Sequence, residues 1–320
     1  MSENKHDLLF STVLVTGCAG DIAQGLCKIL RKTGAAKVII GCDIHNDHAG
    51  SLLFDRCEIV PRASDPGYSN QISQIIDHFS IDLIIPTSEA ELAYLIDSAA
   101  HKSNFKVPTL MANTDSIKMG LDKFATSQLL ENIGISFPWT TKVSEGSPSE
   151  LPCILKMRHG QGSKFVSIVS DPALISYYTQ TRPNDIWQEL LLPSDEEYTC
   201  GLYRSPETST RCIIMKRKLT GGLTGSGEVV ENIEIAQYLS RIAEGLNLSG
   251  SINVQLRMTK RGPVAFEINA RFSSTVVFRH LMGFEDLIWS LQALKGVPIS
   301  PFSHPTPGTK FYRGALEYIL

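Results

Sequence analysis

The chain has 320 residues, 42% of them hydrophobic and 20% charged, with a formal net charge of -3. That is too long for one simple core and suits two or three packed domains, while the near-neutral balance without a long Lys/Arg run speaks against nucleic acid or an anionic membrane as partner. The seven cysteines (Cys18, Cys27, Cys42, Cys57, Cys153, Cys200 and Cys212) form no CxxC pair, so they read as buried reduced thiols of a cytosolic protein rather than as zinc ligands.

The opening MSENKHDLLFSTVLVTG sets a short apolar run after charged residues. It lacks a small-residue cleavage site and leads into a glycine turn, so a buried first strand is expected rather than a signal peptide. No segment has the length that spans a bilayer, and no fixed-period repeat is present. Thr12–Val15 reads as the first strand, and Ile22, Ala23, Leu26, Ile29 and Leu30 as the apolar face of a helix. A second strand covers Lys37–Gly41 and ends at Asp43, a helix carries Ile72, Ile75, Ile76 and Phe79, and a strand covers Asp82–Pro86. Glu89–Ala100 then places Leu92, Leu95, Ile96 and Ala99 on one helical face. This alternation over residues 1–113 predicts an open, mostly parallel α/β sheet.

The first turn, Thr16-Gly17-Cys18-Ala19-Gly20-Asp21-Ile22-Ala23, resembles the TGxxGxxG/A turn of short-chain dehydrogenases, with Asp43 where such enzymes hold a ribose. That family needs a Tyr-x-x-x-Lys pair, and no tyrosine of this chain has a lysine four residues on. The catalytic half of an NAD-dependent reading therefore fails, and the turn reads as a tight strand-to-helix passage.

In the middle of the chain, Thr114 or Asp115 can cap a helix running through Lys118, Lys123, Phe124 and Leu129-Leu130 to Gly134. Phe137-Pro138 and the polar run Lys142–Glu150 read as a linker. Cys153–Lys156 is a short strand, followed by the glycine loop His159-Gly160-Gln161-Gly162-Ser163-Lys164 and a second strand, Phe165–Val169. Such a loop can lie over a polyphosphate, because glycines let backbone N–H groups approach closely; it is no Walker loop. Lys156 ends an apolar strand, and a buried ammonium needs an anionic partner, either a phosphate or an acidic neighbour. The extended stretch Trp187–Pro193 carries Glu189, Leu190 and Leu191, a carboxylate and backbone that can read adenine, and Glu197 in the following acidic turn is placed for ribose hydroxyls.

The late stretch Ile252–Thr275 reads as a β-hairpin with its turn at Thr259-Lys260-Arg261-Gly262. Side chains two apart share a face, which groups Asn253, Gln255 and Arg257 on one arm and Glu267, Asn269 and Arg271 on the other, with Ile252, Val254, Leu256, Phe266 and Ile268 on the apolar side. The polar face is either an ordinary solvated surface or a half-built site for Mg²⁺, which takes few protein oxygens and completes its shell with water and phosphate. Arg271 would then reach the same phosphate.

The ordered set Lys123, Lys156, the loop 160–164, Gln188-Glu189-Leu190, Glu196-Glu197-Tyr198-Thr199, Gln255, Glu267-Ile268-Asn269 and Arg271 resembles the ATP-grasp superfamily, nearest to the ATP-binding halves of carbamoyl phosphate synthetase large chains and stand-alone carboxylate–amine ligases. The resemblance implies an ATP-grasp fold behind an open parallel α/β, Rossmann-like domain: 1–113 as that preceding domain, 114–186 as the central subdomain with the glycine-loop lid, and 187–320 as the C-terminal subdomain with the metal site. It implies that Lys123 and Lys156 hold ATP phosphates, that Gly160, Gly162 and Ser163 close over them, that Glu189, Leu190 and Leu191 read adenine, and that Glu197 holds the ribose. Gln255, Glu267 and Asn269 would ligate one or two Mg²⁺, for which Mn²⁺ can stand in, and Arg271 would stabilise the transferred phosphoryl group. Arg217 and the loop Thr220–Gly227 would border the acceptor; Ser273, Ser274 and Arg279 would touch substrate, unless Arg279 is a surface charge. Gln255 departs from the Asp or Glu of many relatives, which weakens a second metal position. The expected partners are ATP, a small-molecule carboxylate and a nucleophile, with no nucleic acid or membrane; a homodimer is compatible. A catalytically silent ATP-binding sensor is the other alternative.

Overall fold

The computed structural model describes residues 8–97, 105–160 and 165–314. They fall into two compact units, one built from the residues up to Thr114 together with Arg271–Pro305, the other from Asp115–Ala270 and Thr306–Arg313.

In the first unit, β1 (Phe10–Thr16), α1 (Asp21–Thr33), β2 (Ala36–Asp43), β3 (Arg56–Ile59), α2 (Tyr68–Phe79), β4 (Leu83–Ile85) and α3 (Glu89–Ile96) follow one another. The strands form a parallel sheet in the order β3-β2-β1-β4. Its centre is the apolar run Val13, Leu14 and Val15, all with 0% exposure, which is why these residues make a buried strand rather than a half-exposed one. The amphipathic α1 closes with Arg31 and Lys32 in its last turn and Gly34 as its left-handed cap. Glu91 of α3 is buried and accepts from three hydroxyls, Thr16 (2.7 Å), Tyr68 (2.8 Å) and Ser88 (2.7 Å), so its lone pairs are satisfied at the end of β1. The expected continuation of α3 to Ala99 lies outside the described residues.

The second unit opens with α4 (Thr114–Leu121) and α5 (Lys123–Asn132), where the sequence predicted one helix to Gly134. The break is at Asp122, whose backbone is extended (φ -122°) and whose carboxylate accepts from the Phe124 and Ala125 amides. An Asp with that geometry ends one helix and caps the next. β5 (Thr140–Lys142) pairs with a later strand, so the expected linker begins with a strand instead; its three residues show no periodicity. Then come β6 (Cys153–Met157), β7 (Ser167–Val169), α6 (Ala173–Thr181), β8 (Asp185–Glu189), β9 (Glu197–Ser205), β10 (Thr208–Thr220), β11 (Leu223–Val229), α7 (Ile233–Gly245), β12 (Gly250–Thr259) and β13 (Gly262–Asn269). Thr220–Gly227, expected as a loop, is therefore the tip and second arm of a β10–β11 hairpin.

After α8 (Val276–Leu281) and α9 (Asp286–Lys295), which belong to the first unit, β14 (Lys310–Tyr312) returns to the second and pairs with β11. The second unit thus holds two antiparallel sheets, a smaller one ordered β5-β8-β6-β7 and a larger one ordered β13-β12-β9-β10-β11-β14. The smaller sheet packs Cys153, Leu155, Val169 and Trp187 into a core of its own.

The late helices complete the first unit. Phe272, Val276, Leu287, Ile288 and Leu291 join Val13, Val15, Leu26 and Ile29 in one buried cluster. A Cβ at Gly25 of α1 would sit 3.0–3.1 Å from Val276 and Val277, so the absence of a side chain there sets how closely α8 approaches α1. Arg279, expected at substrate or at the surface, is at neither; it is fully buried (0%) and lies 3.1 Å from the equally buried Asp286. Burial lowers the Arg279 pKa from its ordinary value and Asp286 opposes that shift. Removing one partner of a buried ion pair strands a charge in the interior, at a cost of about 3–5 kcal/mol. Asp286→Ala is therefore expected to lower the thermal midpoint of the unit strongly, and Arg279→Met combined with Asp286→Leu to recover most of the loss; calorimetry on the three proteins checks this.

Candidate functional site

In the hairpin β12–β13, Gln255 pairs with Glu267 and Asn253 with Asn269. Between Gln255 and Leu256 the register slips by a β-bulge. The bulge adds one residue to β13 and re-aims its side chains. Phe266, expected on the apolar face opposite Glu267, consequently lines the same cavity as Glu267. Simple alternation cannot foresee an inserted residue.

That cavity lies within the second unit, between its two sheets, and encloses about 880 Å³, part of it open to solvent. The smaller sheet supplies Lys156 and Met157 from β6 and Glu189 from β8; the larger supplies Glu197, Arg217, Gln255, Arg257 and Glu267. Lys123, Gly160, Leu190 and Leu191 complete the predicted residues that line it. Gly162 and Ser163 lie outside the described residues. Asn269 is buried at the end of β13. Arg271 belongs to the first unit, where it lies 3.3 Å from Glu89 and donates to the Phe272 carbonyl.

Lys123 is the first residue of α5, directly after the capping Asp122, and that placement fixes it. Asp122 also binds Arg158 of the β6 exit (Nε to Oδ1, 2.9 Å), and the Lys123 amide donates to the Arg158 carbonyl at 3.1 Å. Burial raises the Asp122 carboxyl pKa, but the Arg158 guanidinium and the Ala125 amide outweigh it and hold the group below its ordinary range. The Lys123 ammonium donates to the Gly160 carbonyl at 2.5 Å and stands 3.7 Å from Glu267. Lys156 comes from the opposite wall, 7% exposed, and donates to the Phe266 carbonyl at 3.0 Å. Burial lowers its pKa to about 8, opposed by the Glu267 carboxylate and reinforced by the Lys123 charge. Two ammonium groups and one carboxylate thus converge at one end of the cavity.

The other polar groups are already paired. Glu197 lies between two guanidiniums from flanking strands, Arg217 on β10 (2.7 and 3.0 Å) and Arg257 on β12. Arg217 also donates to the Gln255 amide oxygen at 2.8 Å, and Arg257 to the Leu191 carbonyl at 2.6 Å. Glu189 is held by Arg261 at 2.7 and 2.8 Å. Four cations (Lys123, Lys156, Arg217, Arg257) line the cavity against three carboxylates (Glu189, Glu197, Glu267), one of which Arg261 neutralises from outside it. The balance is positive and suits a polyanion. Ile154, Met157, Val166, Leu219 and Phe266 add apolar surface to the cavity walls. Arg257 was not singled out from the sequence although its signal was there, two residues past Gln255 on the same face.

For Mg²⁺, a hard cation that takes oxygen ligands, Glu267 fits as a carboxylate facing the cavity. The Gln255 oxygen already accepts from Arg217 at 2.8 Å, which leaves it one lone pair.

The two units, one with two antiparallel sheets around a basic cavity and one with a parallel α/β sheet, can now be set against known proteins. A family described as ATP-grasp in the biosynthetic pathway with Ter operon matches residues 189–312, less than half of the chain. The N5-carboxyaminoimidazole ribonucleotide synthetase of Thermus thermophilus superposes with a TM-score of 0.71 at 14% identity, covering 92% of this chain and 80% of that one. The fold is ATP-grasp. The L-amino acid ligase of Bacillus licheniformis shares this ATP-grasp fold, with a TM-score of 0.69 at 15% identity over 89% of this chain and 74% of that one. The carbamoyl phosphate synthase large chain of Clostridium botulinum is 22% identical over 284 residues, 82% of this chain but 26% of that protein. The chain thus spans about a quarter of that relative's length.

The glycine turn of the first unit offers little to a dinucleotide. Its amides are committed: Cys18 N–H to the Cys42 carbonyl (3.1 Å), Ala19 N–H to the Asp43 carboxylate (2.8 Å) and Gly20 N–H to the Gly17 carbonyl (2.9 Å). Asp43 spends one carboxylate oxygen on the turn itself, which ties the end of β2 to the glycine turn.

Lys156 sets a pH dependence. A triphosphate held at Lys156 would need the protonated ammonium, so above a free-protein pKa of about 8 its affinity should fall, by up to about tenfold per pH unit, with proton uptake on binding. Lys156→Met should weaken binding by about tenfold or more and flatten the profile. Isothermal titration with ATP at pH 7, 8 and 9 in two buffers of different ionisation enthalpy checks both.

Proposed function

We propose that the cavity between the two antiparallel sheets binds ATP and that the protein is an ATP-dependent ligase, activating a carboxylate as an acylphosphate and joining it to an amine or another nucleophile. The observation that carries this reading is the convergence of Lys123 and Lys156 on Glu267 in a cavity that is also lined by apolar side chains. Two ammonium groups there would take the β- and γ-phosphates, and the slot between Met157, Leu219 and Phe266 would take the purine, with Glu189, Leu190 and Leu191 at its edge. Glu267, with Asn269 beside it on β13, would hold Mg²⁺, which neutralises phosphate charge when bound.

In the proposed reaction a carboxylate oxygen attacks the γ-phosphorus, the bond to the β-bridging oxygen breaks, and ADP leaves. The nucleophile then attacks the acyl carbon, gives up its proton, and phosphate departs with the electron pair. This chain's part is placement and charge: the lysines hold the phosphates, Arg217 presents a cation on the larger sheet, and enclosure by the smaller sheet limits water at the acylphosphate. No side-chain nucleophile is required.

One observation favours the second reading, an ATP-binding sensor without turnover. Among the cavity's described carboxylates, Glu197 and Glu189 are both spent on arginines, which leaves Glu267 to serve a metal. A coupled ADP-release screen of carboxylates crossed with amines separates the two. A ligase releases ADP with at least one pair, and Glu267→Ala lowers that rate by about a hundredfold or more while circular dichroism and the melting midpoint hold. A sensor binds ATP and releases none with any pair.

A further inference from the structure

The first unit carries a cluster that the ligase reading does not use. Cys18, in the turn after β1, Asp43, at the end of β2, and His48, just beyond it, each place one potential ligand atom within 4.8 Å of the others. They sit at the carboxyl ends of adjacent parallel strands, the edge where open α/β sheets bind ligands. Cys57 of β3 stands beside them, its Sγ 3.7 Å from that of Cys18, and His48 Nε2 lies 3.8 Å from the Cys18 sulfur.

The donors are held in place. The Asp43 carboxylate receives the Ala19 amide on one oxygen (2.8 Å) and the Ile44 amide on the other (2.7 Å), which orients it and leaves a lone pair on each. His48 Nε2 lies 3.0 Å from the His45 carbonyl as well as 3.8 Å from the Cys18 sulfur, and Nδ1 is buried without a hydrogen-bond partner. A neutral imidazole carries one N–H and keeps a lone pair on its other nitrogen. Gly50 allows the approach: a Cβ there would sit 2.1 Å from the Cys18 carbonyl oxygen and 2.9 Å from His48 Nδ1. Any side chain at 50 would push the His48 segment away from the turn.

We propose that Cys18, Asp43 and His48 form a three-donor binding site for a borderline-soft divalent cation of the zinc class in the parallel α/β unit, with the fourth position left to water. Binding ties the turn after β1 to the segment after β2 and releases the Cys18 thiol proton. The lack of a CxxC pair hid the site, because its ligands come from the ends of two strands and meet only in the folded sheet.

Cobalt reports on this directly, since a thiolate ligand gives a near-ultraviolet charge-transfer band and a four-coordinate ion gives strong visible bands. The full chain, stripped with chelator and kept reduced, is titrated with Co²⁺ and then Zn²⁺ in the absence of nucleotide. One equivalent of cobalt with both features, displaced by zinc, is expected. Cys18→Ser should abolish the charge-transfer band and His48→Gln should weaken binding about tenfold or more, whereas Glu267→Ala should leave the spectrum as in the parent. Should Cys18→Ser not fold, His48→Gln, at a partly exposed position, and the rise in melting midpoint with Zn²⁺ in the parent carry the test. Cobalt uptake without the thiolate band, equal titration of parent and His48→Gln, or no uptake by the reduced chain would each overturn the proposal.

Discussion

Lys156 is an ammonium on a buried strand that the fold does not fully neutralise. It finds one backbone carbonyl, a carboxylate shared with Lys123, and no ion-pair partner of its own within reach among the described residues. An isolated charge in such a place is costly, so the protein carries a local cost that a polyanion would relieve. The two sheets, the break at Asp122 and the bulge in β12–β13 all serve to bring this ammonium, Lys123 and Glu267 together.

The rest of the cavity follows an opposite rule. Glu197, Arg217, Arg257, Gln255, Glu189 and Arg261 are tied into pairs and bridges, and such networks fix side-chain positions when all members are satisfied. A network of paired side chains beside two ammonium groups that share one carboxylate is an arrangement in which ligand charge, rather than side-chain rearrangement, completes the electrostatics. The same contrast appears in the first unit. Glu91 has its three hydroxyl donors, whereas His48 Nδ1 is buried without a hydrogen-bond partner.

Much was legible from the chain alone where the signal is local. Period-three and period-four apolar spacing gave α1 and α2, the alternation about Thr259–Gly262 gave the β12–β13 hairpin, and strand ends placed Lys156 and Glu267. What failed was whatever depends on a single residue's backbone or on a distant partner. Asp122 divides a helix that propensity would run through, one extra residue turns Phe266 into the cavity, and Arg279 is buried because an acidic residue seven positions on is buried with it.

The sequence by itself determined the class of each segment, the ATP-grasp order of motifs and the identity of most cavity residues, because periodicity, caps and turn chemistry act over a few residues. Tertiary structure alone decided that residues 271–305 complete the core of the first unit, that Glu197 and Gln255 are held by arginines, and that Cys18, Asp43, His48 and Cys57 meet. Those outcomes rest on pairings between strands and helices tens to hundreds of residues apart, and such pairings are fixed by the packing of whole faces, which no short stretch of chain encodes.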